Sequence, residues 1–271
     1  MKQGFVKVAS ATPRIRVADP VYNAQVICEQ AKEAAEHGAK IVVFPELCIT
    51  GYTCNDLFLQ ELLLEKAKEA LLTIAEETGQ LETLFLVGLP VDKDGRLYNV
   101  AAVLYRGRIL GMIPKKNIPM YAEFYEGRHF TPGEETVTEY RLGKQVIPFG
   151  SNLLFRCEEL PELILGCELC EDLWVAEPPS TSHALMGATV IANLSASNET
   201  VSKDDYRTLL IKASSARLLC GYIYTSAGEG ESTQDLVFGG HDLIAENGTL
   251  LVQSARFTTG ILYTDLDVLK I

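Results

Sequence analysis

The sequence is poor in the groups that usually carry metal or redox chemistry. Its 271 residues include four histidines, His37, His129, His183 and His241, scattered without ligand spacing. One C-x-x-C pair occurs, Cys167 and Cys170, and no second pair answers it. A structural zinc site usually draws on four ligands, often as two such hooks, so the metal reading is weak and no metal is expected. The seven cysteines are odd in number and irregular in spacing, and most sit in apolar or helix-like stretches. That is the usage of reduced thiols in a cytosolic protein, and a cytoplasmic location is expected. The N-terminal MKQGFVKVAS lacks a long apolar segment, so no signal peptide is read there. No apolar run reaches the ~18 residues of a membrane span. Positive charge is also scarce, with 24 Lys and Arg against 36 Asp and Glu, a net charge of −12. Such a field repels nucleic acid and anionic membrane, and neither is expected as a partner.

What is present is a globular pattern. Hydrophobic residues make up 47% of the chain, enough at this length to bury a core without disulfide or metal staples. Residues 5–9 alternate as a strand. Apolar residues at helical spacing predict a helix over 23–37, stopped by Gly38. Strands are predicted at 41–44, 84–89, 99–105 and 108–113, the last two as a hairpin about an Arg-Gly turn, and a helix at 56–77. Residues 126–150 read as a polar stretch with glycine and proline. Further strands are predicted at 162–168, 189–195 and 221–227, with helices at 181–187 and 204–219. The end of the chain reads as three strand-like runs, 237–244, 249–255 and 260–268. No repeat, low-complexity tract or linker divides the chain, so a single domain over 1–271 is expected. Alternating strands and helices indicate α/β layers, with a mixed sheet or two facing sheets.

The C-x-x-C pair lies in LILGCELCEDLW, residues 163–174. Cys167 falls inside the apolar run, where burial is expected, which disfavours a redox pair. Both cysteines could be small core residues. Cys170 differs in standing where a buried strand ends and the chain turns, a usual place for a nucleophile in α/β proteins. A thiol of ordinary pKa about 8.5 needs a base and a cation to work at neutral pH. No histidine is placed to serve, so the base is another group. Two more apolar runs end at ionisable residues: Glu46 after Pro45 in FPELCITGY, and Lys115 after Pro114 in MIPKKNIPM. Either alone reads most simply as a solvated charge. Taken with Cys170, they are strand ends that can converge at one sheet edge.

These three segments resemble the nitrilase superfamily, whose members share a Glu-Lys-Cys triad. FPELCITGYTCNDLF, PKKNIPMYAEFYEGRHF, LGCELCEDLWV and NLSASN are more specific. They resemble the glutamine-hydrolysing domains of glutamine-dependent NAD synthetases. The resemblance implies a four-layer αββα sandwich and a glutaminase that needs no cofactor. It implies Glu46 as general base, Cys170 as nucleophile and Lys115 as oxyanion stabiliser with the Glu171 backbone N–H. Glu126 matches a second acid that places Lys115 and the attacking water. Tyr121, Phe124, Glu171 and Ser197 match positions that hold glutamine, with Glu171 facing the α-ammonium. Some relatives carry an arginine near position 203 that meets the α-carboxylate. This chain has Lys203, which cannot form arginine's bidentate fork.

The resemblance further implies a synthetase domain as partner, in the same chain or another, and a homo-oligomer. The S-G-G-x-D-S loop of that domain does not occur. AGEGES (227–232) and FGGH (238–241) read as ordinary loops. The synthetase domain is therefore expected to be absent from this chain, and ATP, magnesium and NAD to belong to it. Slow glutamine hydrolysis is expected without that partner. The competing functions are a stand-alone amidase or carbamoylase with the same triad, and a catalytically silent assembly domain.

Overall fold

The structure, a computed structural model that describes residues 3–271, stacks two sheets face to face with helices on both outer sides. Met1 and Lys2, which open the N-terminal stretch read above, lie outside the described residues. The first sheet holds β1 (Phe5–Thr12), β2 (Ile41–Val43), β3 (Leu84–Lys93), β4 (Arg96–Tyr105), β5 (Arg108–Pro114), β6 (Thr138–Leu142), β7 (Gln145–Phe149) and β14 (Gly260–Asp267), in the order β14-β1-β2-β3-β4-β5-β7-β6. The second holds β8 (Leu154–Arg156), β9 (Ile164–Leu169), β10 (Val190–Ser195), β11 (Gly221–Ser226), β12 (Leu243–Glu246) and β13 (Thr249–Gln253), in the order β13-β12-β11-β10-β9-β8. Helices α1 (Pro20–Glu36) and α2 (Glu61–Glu77) cover the first sheet, and α3 (Pro179–Leu185) and α4 (Lys203–Leu218) cover the second. This is the expected αββα sandwich. Among the described residues no helix is long and apolar enough to cross a membrane.

Three apolar layers hold the stack together. Between the sheets, Val8, Leu86, Val103, Leu165, Val190 and Ile223 belong to one buried cluster. A second cluster joins the outer face of the first sheet to α1 and α2 through Phe85, Val87, Ile27 and Leu71. A third joins α4 to the second sheet through Ile211, Ile191, Tyr222 and Leu243. β9 to β11 are buried at nearly every residue, as strands covered on both faces must be.

Two local readings are corrected. The helix predicted over 56–77 is broken. Residues Tyr52–Leu59 form a kinked 3-10 segment, and Gln60 is extended before α2 starts. Tertiary demand overrides helical spacing here, because the Glu231 carboxylate takes the backbone N–H groups of Tyr52 (2.6 Å) and Thr53 (3.0 Å). The strand-like run 237–244 is mostly irregular, with strand only from Leu243 and one isolated bridge between Asn198 and Phe238. A bend at Gly239-Gly240 (Gly240 φ 59°) turns His241 and Asp242 inward, where they are buried. The stretch 126–150 also contains a hairpin, β6–β7, which forms the edge of the first sheet and buries its alternating Tyr140, Leu142, Ile147 and Phe149 in the outer-face cluster.

The strand directions decide where the ionisable strand ends meet. β2 and β3 are parallel, β3 to β4 and β4 to β5 antiparallel, so β2 and β5 run the same way. β9 and β10 are parallel neighbours in the facing sheet. Gly88 of β3 lies under the turn that follows β2. A Cβ there would stand 2.2 Å from Leu47 N and 2.6 Å from Pro45 O. Gly88→Ala is therefore expected to push the turn carrying Glu46 outward and to cost about 1–3 kcal/mol, the range for overpacking, readable as a lower denaturation midpoint.

Candidate active site

Glu46 follows β2 and is fully buried. Its backbone N–H donates to Ser195 O (3.3 Å), and its Oε2 accepts from Ala196 N (2.9 Å), so it is stitched to the end of β10 in the opposite sheet. Lys115 directly follows β5 and is also fully buried. Its N–H continues the ladder to Asn99 O at 2.8 Å. The ammonium Nζ lies 2.7 Å from Glu46 Oε1 and 2.6 Å from Glu126 Oε1, one cation shared by two buried carboxylates. Glu126 opens a short 3-10 turn, Glu126–Arg128, and is 5% exposed.

Cys170 directly follows β9 and opens the 3-10 turn Cys170–Leu173. Its φ of 37° is left-handed, a strained setting for a residue with a Cβ and one found at functional elbows. Asp172 holds the elbow in place. One oxygen accepts from Leu169 N (3.0 Å), and the other accepts from Asn117 N (2.8 Å) and Asn117 Nδ2 (2.9 Å), just past Lys115. The elbow of one sheet is thereby tied to the lysine segment of the other.

The charges divide unevenly in this enclosure. Burial pushes the Glu46 carboxyl up, Lys115 pulls it down and Glu126 pushes it up again, which leaves it at about 7. Burial works against the Lys115 ammonium, yet the charges of Glu126 and Glu46 outweigh it and hold its pKa well above the ordinary value. Burial, then the Glu46 charge, push the Cys170 thiol up to about 12, with Lys115 opposing. Cys170 thus rests as a thiol beside a carboxylate that can take its proton near neutral pH.

The sulfur is reached through a cleft of about 420 Å³. All five residues expected to hold substrate line it: Tyr121, Phe124, Glu171, Ser197 and Lys203. Tyr121 OH donates to both Glu171 oxygens (3.1 and 3.0 Å). Lys203 Nζ donates to Asn198 Oδ1 and lies over the rings of Trp174 (5.3 Å) and Phe124 (5.6 Å). Glu171 is partly exposed, whereas the neighbouring acids Glu168 and Asp172 are buried. Glu168 instead accepts from Tyr222 OH and from Ser180 N (2.9 Å) at the start of α3.

Four residues join the site without having been singled out in the sequence. Asn99 Nδ2 donates to Glu46 Oε1 (2.7 Å) and Glu126 Oε2 (3.4 Å). Tyr52 OH donates to Glu126 Oε1 at 2.8 Å. Asp172 fixes the elbow, and Arg207 donates to Ser197 Oγ at 3.2 Å. Asn99 had a legible signal, a lone amide in the apolar run NVAAVLY. Arg207 had none, since a cation in an amphipathic helix looks solvated.

Known proteins bear on this arrangement. The chain is 43% identical over 267 residues to a glutamine-dependent NAD(+) synthetase of Mycobacterium bovis, covering 98% of this chain and 39% of that protein. A crystal structure of a glutamine-dependent NAD(+) synthetase from Cytophaga hutchinsonii superposes with a TM-score of 0.87 at 28% identity, over 97% of this chain and 43% of that one. An amidase from Nesterenkonia sp., 21% identical, shares the fold with a TM-score of 0.77 over 98% of this chain and 92% of that one. The chain thus spans about two-fifths of the synthetases it resembles. The carbon-nitrogen hydrolase profile matches residues 7–271, and the chain belongs to that family.

Proposed function

We propose that this chain hydrolyses the side-chain amide of glutamine to glutamate and ammonia through a thioester on Cys170. The observation that carries the reading is Cys170 lining a cleft together with Glu171 and Lys203, while the paired charges of Glu46, Lys115 and Glu126 act on its thiol. A carboxylate and an ammonium on the walls complement the two charged ends of an α-amino acid. The likeness to glutamine-dependent NAD synthetases supports the same substrate.

Glu46 takes the thiol proton as Cys170 Sγ attacks the carboxamide carbon. The C=O π electrons move onto oxygen, where Lys115 and the Glu171 backbone N–H stabilise the oxyanion. Each such preorganised donor lowers a barrier by about 3 kcal/mol. The proton held by Glu46 passes to the leaving nitrogen, the C–N bond breaks, and ammonia departs. Glu46 then deprotonates water for attack on the thioester, and as the C–S bond breaks and glutamate leaves, Glu46 returns that proton to the departing thiolate. Glu126 keeps Lys115 in place and, with Tyr52 and Asn99, keeps its own carboxylate oriented. No cofactor enters these steps. The ammonia is delivered to a synthetase unit carried in the same chain or another, where ATP and magnesium belong. A stand-alone amidase acting on small neutral amides is the weaker reading, because such substrates leave Glu171 and Lys203 without ligand charges to meet.

The test is a substrate panel with a nucleophile control. Glutamate release from glutamine is expected to exceed acid release from propionamide, and Cys170→Ala is expected to abolish it. Preference for the neutral amide would return the chain to the amidase reading. Glu171→Gln removes one charge-assisted contact and is expected to raise KM for glutamine by about tenfold with little change in kcat.

The pH profile follows from Glu46. The base works only when deprotonated, so activity is expected to fall as pH drops through about 7 and to level off above it. Glu46→Gln is expected to remove most activity at every pH. A rate that stayed flat from pH 5 to 8 would take Glu46 out of the base role.

A further inference from the structure

Arg207 is among the largest side chains in the protein that are fully buried. It lies on α4 four residues beyond Lys203, so the two cations share one helix face. Lys203 lines the cleft, and Arg207 stands behind its wall. The guanidinium spreads its donors over that wall. Nη1 donates to Glu199 Oε1 (2.8 Å) and His241 Nδ1 (3.0 Å), and Nη2 donates to Ser197 Oγ (3.2 Å) and Asn198 O (3.2 Å). Among the described residues the buried Nε has no hydrogen-bond partner.

Two of these contacts reach the cleft. Ser197 Oγ accepts from the guanidinium, so its hydrogen points away from Arg207 and the hydroxyl orientation is fixed on that side. Asn198, held through its carbonyl, uses its side chain to accept from Lys203 Nζ and to donate to Glu123, both of which line the cleft. Ser197, Lys203 and Glu123 therefore depend on one buried cation.

We propose that Arg207 is a positioning residue for recognition of the amino-acid end of the substrate, acting through Ser197 and Asn198 without touching the ligand. The inference rests on the glutamine reading above and deepens it. Lysine is a point charge and cannot hold Glu199, Ser197 and Asn198 together. Arg207→Lys should therefore loosen the wall while leaving the Glu46–Lys115–Cys170 cluster intact. A purely structural arginine would instead impair every reaction of Cys170 alike.

The experiment measures second-order labelling of Cys170 by two electrophiles. The diazoketone analogue of glutamine carries the α-ammonium and α-carboxylate, and iodoacetamide carries neither. Arg207→Lys is expected to slow labelling by the analogue by about tenfold, the loss that goes with one charge-assisted contact, and to leave iodoacetamide labelling unchanged. Losses at both sites of Arg207 action, in Arg207→Lys and Ser197→Ala, should combine to less than their product in the double variant, because they share one contact. Equal slowing with both electrophiles, or no slowing with the analogue, overturns the proposal. If Arg207→Lys does not melt cooperatively, Glu199→Gln decides, because Glu199 holds the guanidinium from outside the cleft lining: slower analogue labelling with unchanged iodoacetamide labelling supports the relay, and unchanged analogue labelling overturns it. Wild-type protein that reacts with iodoacetamide but not with the analogue would strike the glutamine reading itself. Wild-type protein that reacts with both, beside an unaffected Arg207→Lys, strikes only the part given to Arg207.

Discussion

The Lys115 ammonium between two buried carboxylates is the interaction on which the site depends. One positive charge serves Glu46 at 2.7 Å and Glu126 at 2.6 Å, with no exposure to water to share the load. Removing a partner from such a buried group leaves uncompensated charge, at about 3–5 kcal/mol. The arrangement is thus poor as a stabilising device and needs supporting dipoles. Asn99 donates to both carboxylates, Tyr52 to Glu126, and the Ala196 N–H to Glu46. What this support secures is a carboxyl poised near neutral pH beside a protected thiol, the combination a base and nucleophile require.

The sandwich exists, from the site's point of view, to bring strand ends from two sheets to one place. Glu46 and Lys115 come from the first sheet, and Cys170, Ala196 and Ser197 from the second. Polar links across the gap keep them in register, with Glu46 bonded to the end of β10 and Asp172 bonded to the segment after Lys115. Farther out, Glu231 pins the backbone of Tyr52, and so places the hydroxyl that reaches Glu126. Burial gives these links their strength, because a low-dielectric setting makes paired polar groups rigid and unpaired ones costly.

The substrate side uses a different economy. Glu46, Lys115 and Cys170 are buried, whereas Tyr121 is exposed and Glu171 and Lys203 are only partly buried. Under the glutamine reading proposed above, charged walls that remain wet would bind and release an amino acid without full desolvation at each turnover. Behind them, the buried Arg207 donates to Ser197 Oγ and Asn198 O, the contacts on which its proposed positioning role rests.

Much of this was legible in the sequence, for identifiable reasons. Apolar runs ending in Pro-Glu, Pro-Lys and Glu-Leu-Cys marked strand ends, and the hairpin about Arg106-Gly107 and the helices α1 and α4 followed from periodicity. The cleft residues Tyr121, Phe124, Glu171, Ser197 and Lys203 entered through resemblance, and geometry then set them around one sulfur. The broken helix before α2 and the bend at 237–242 could not be read, because each is held by a carboxylate or a turn from a distant part of the chain. The same holds for Asp172 and Arg207, whose types look solvent-facing until the fold buries them. Sequence periodicity determines which residues can end a strand or face a core, since it acts over a few neighbouring positions. Which ends meet, and how far a shared charge shifts each partner, was decided only by the tertiary structure, since both depend on through-space distance and exclusion of water.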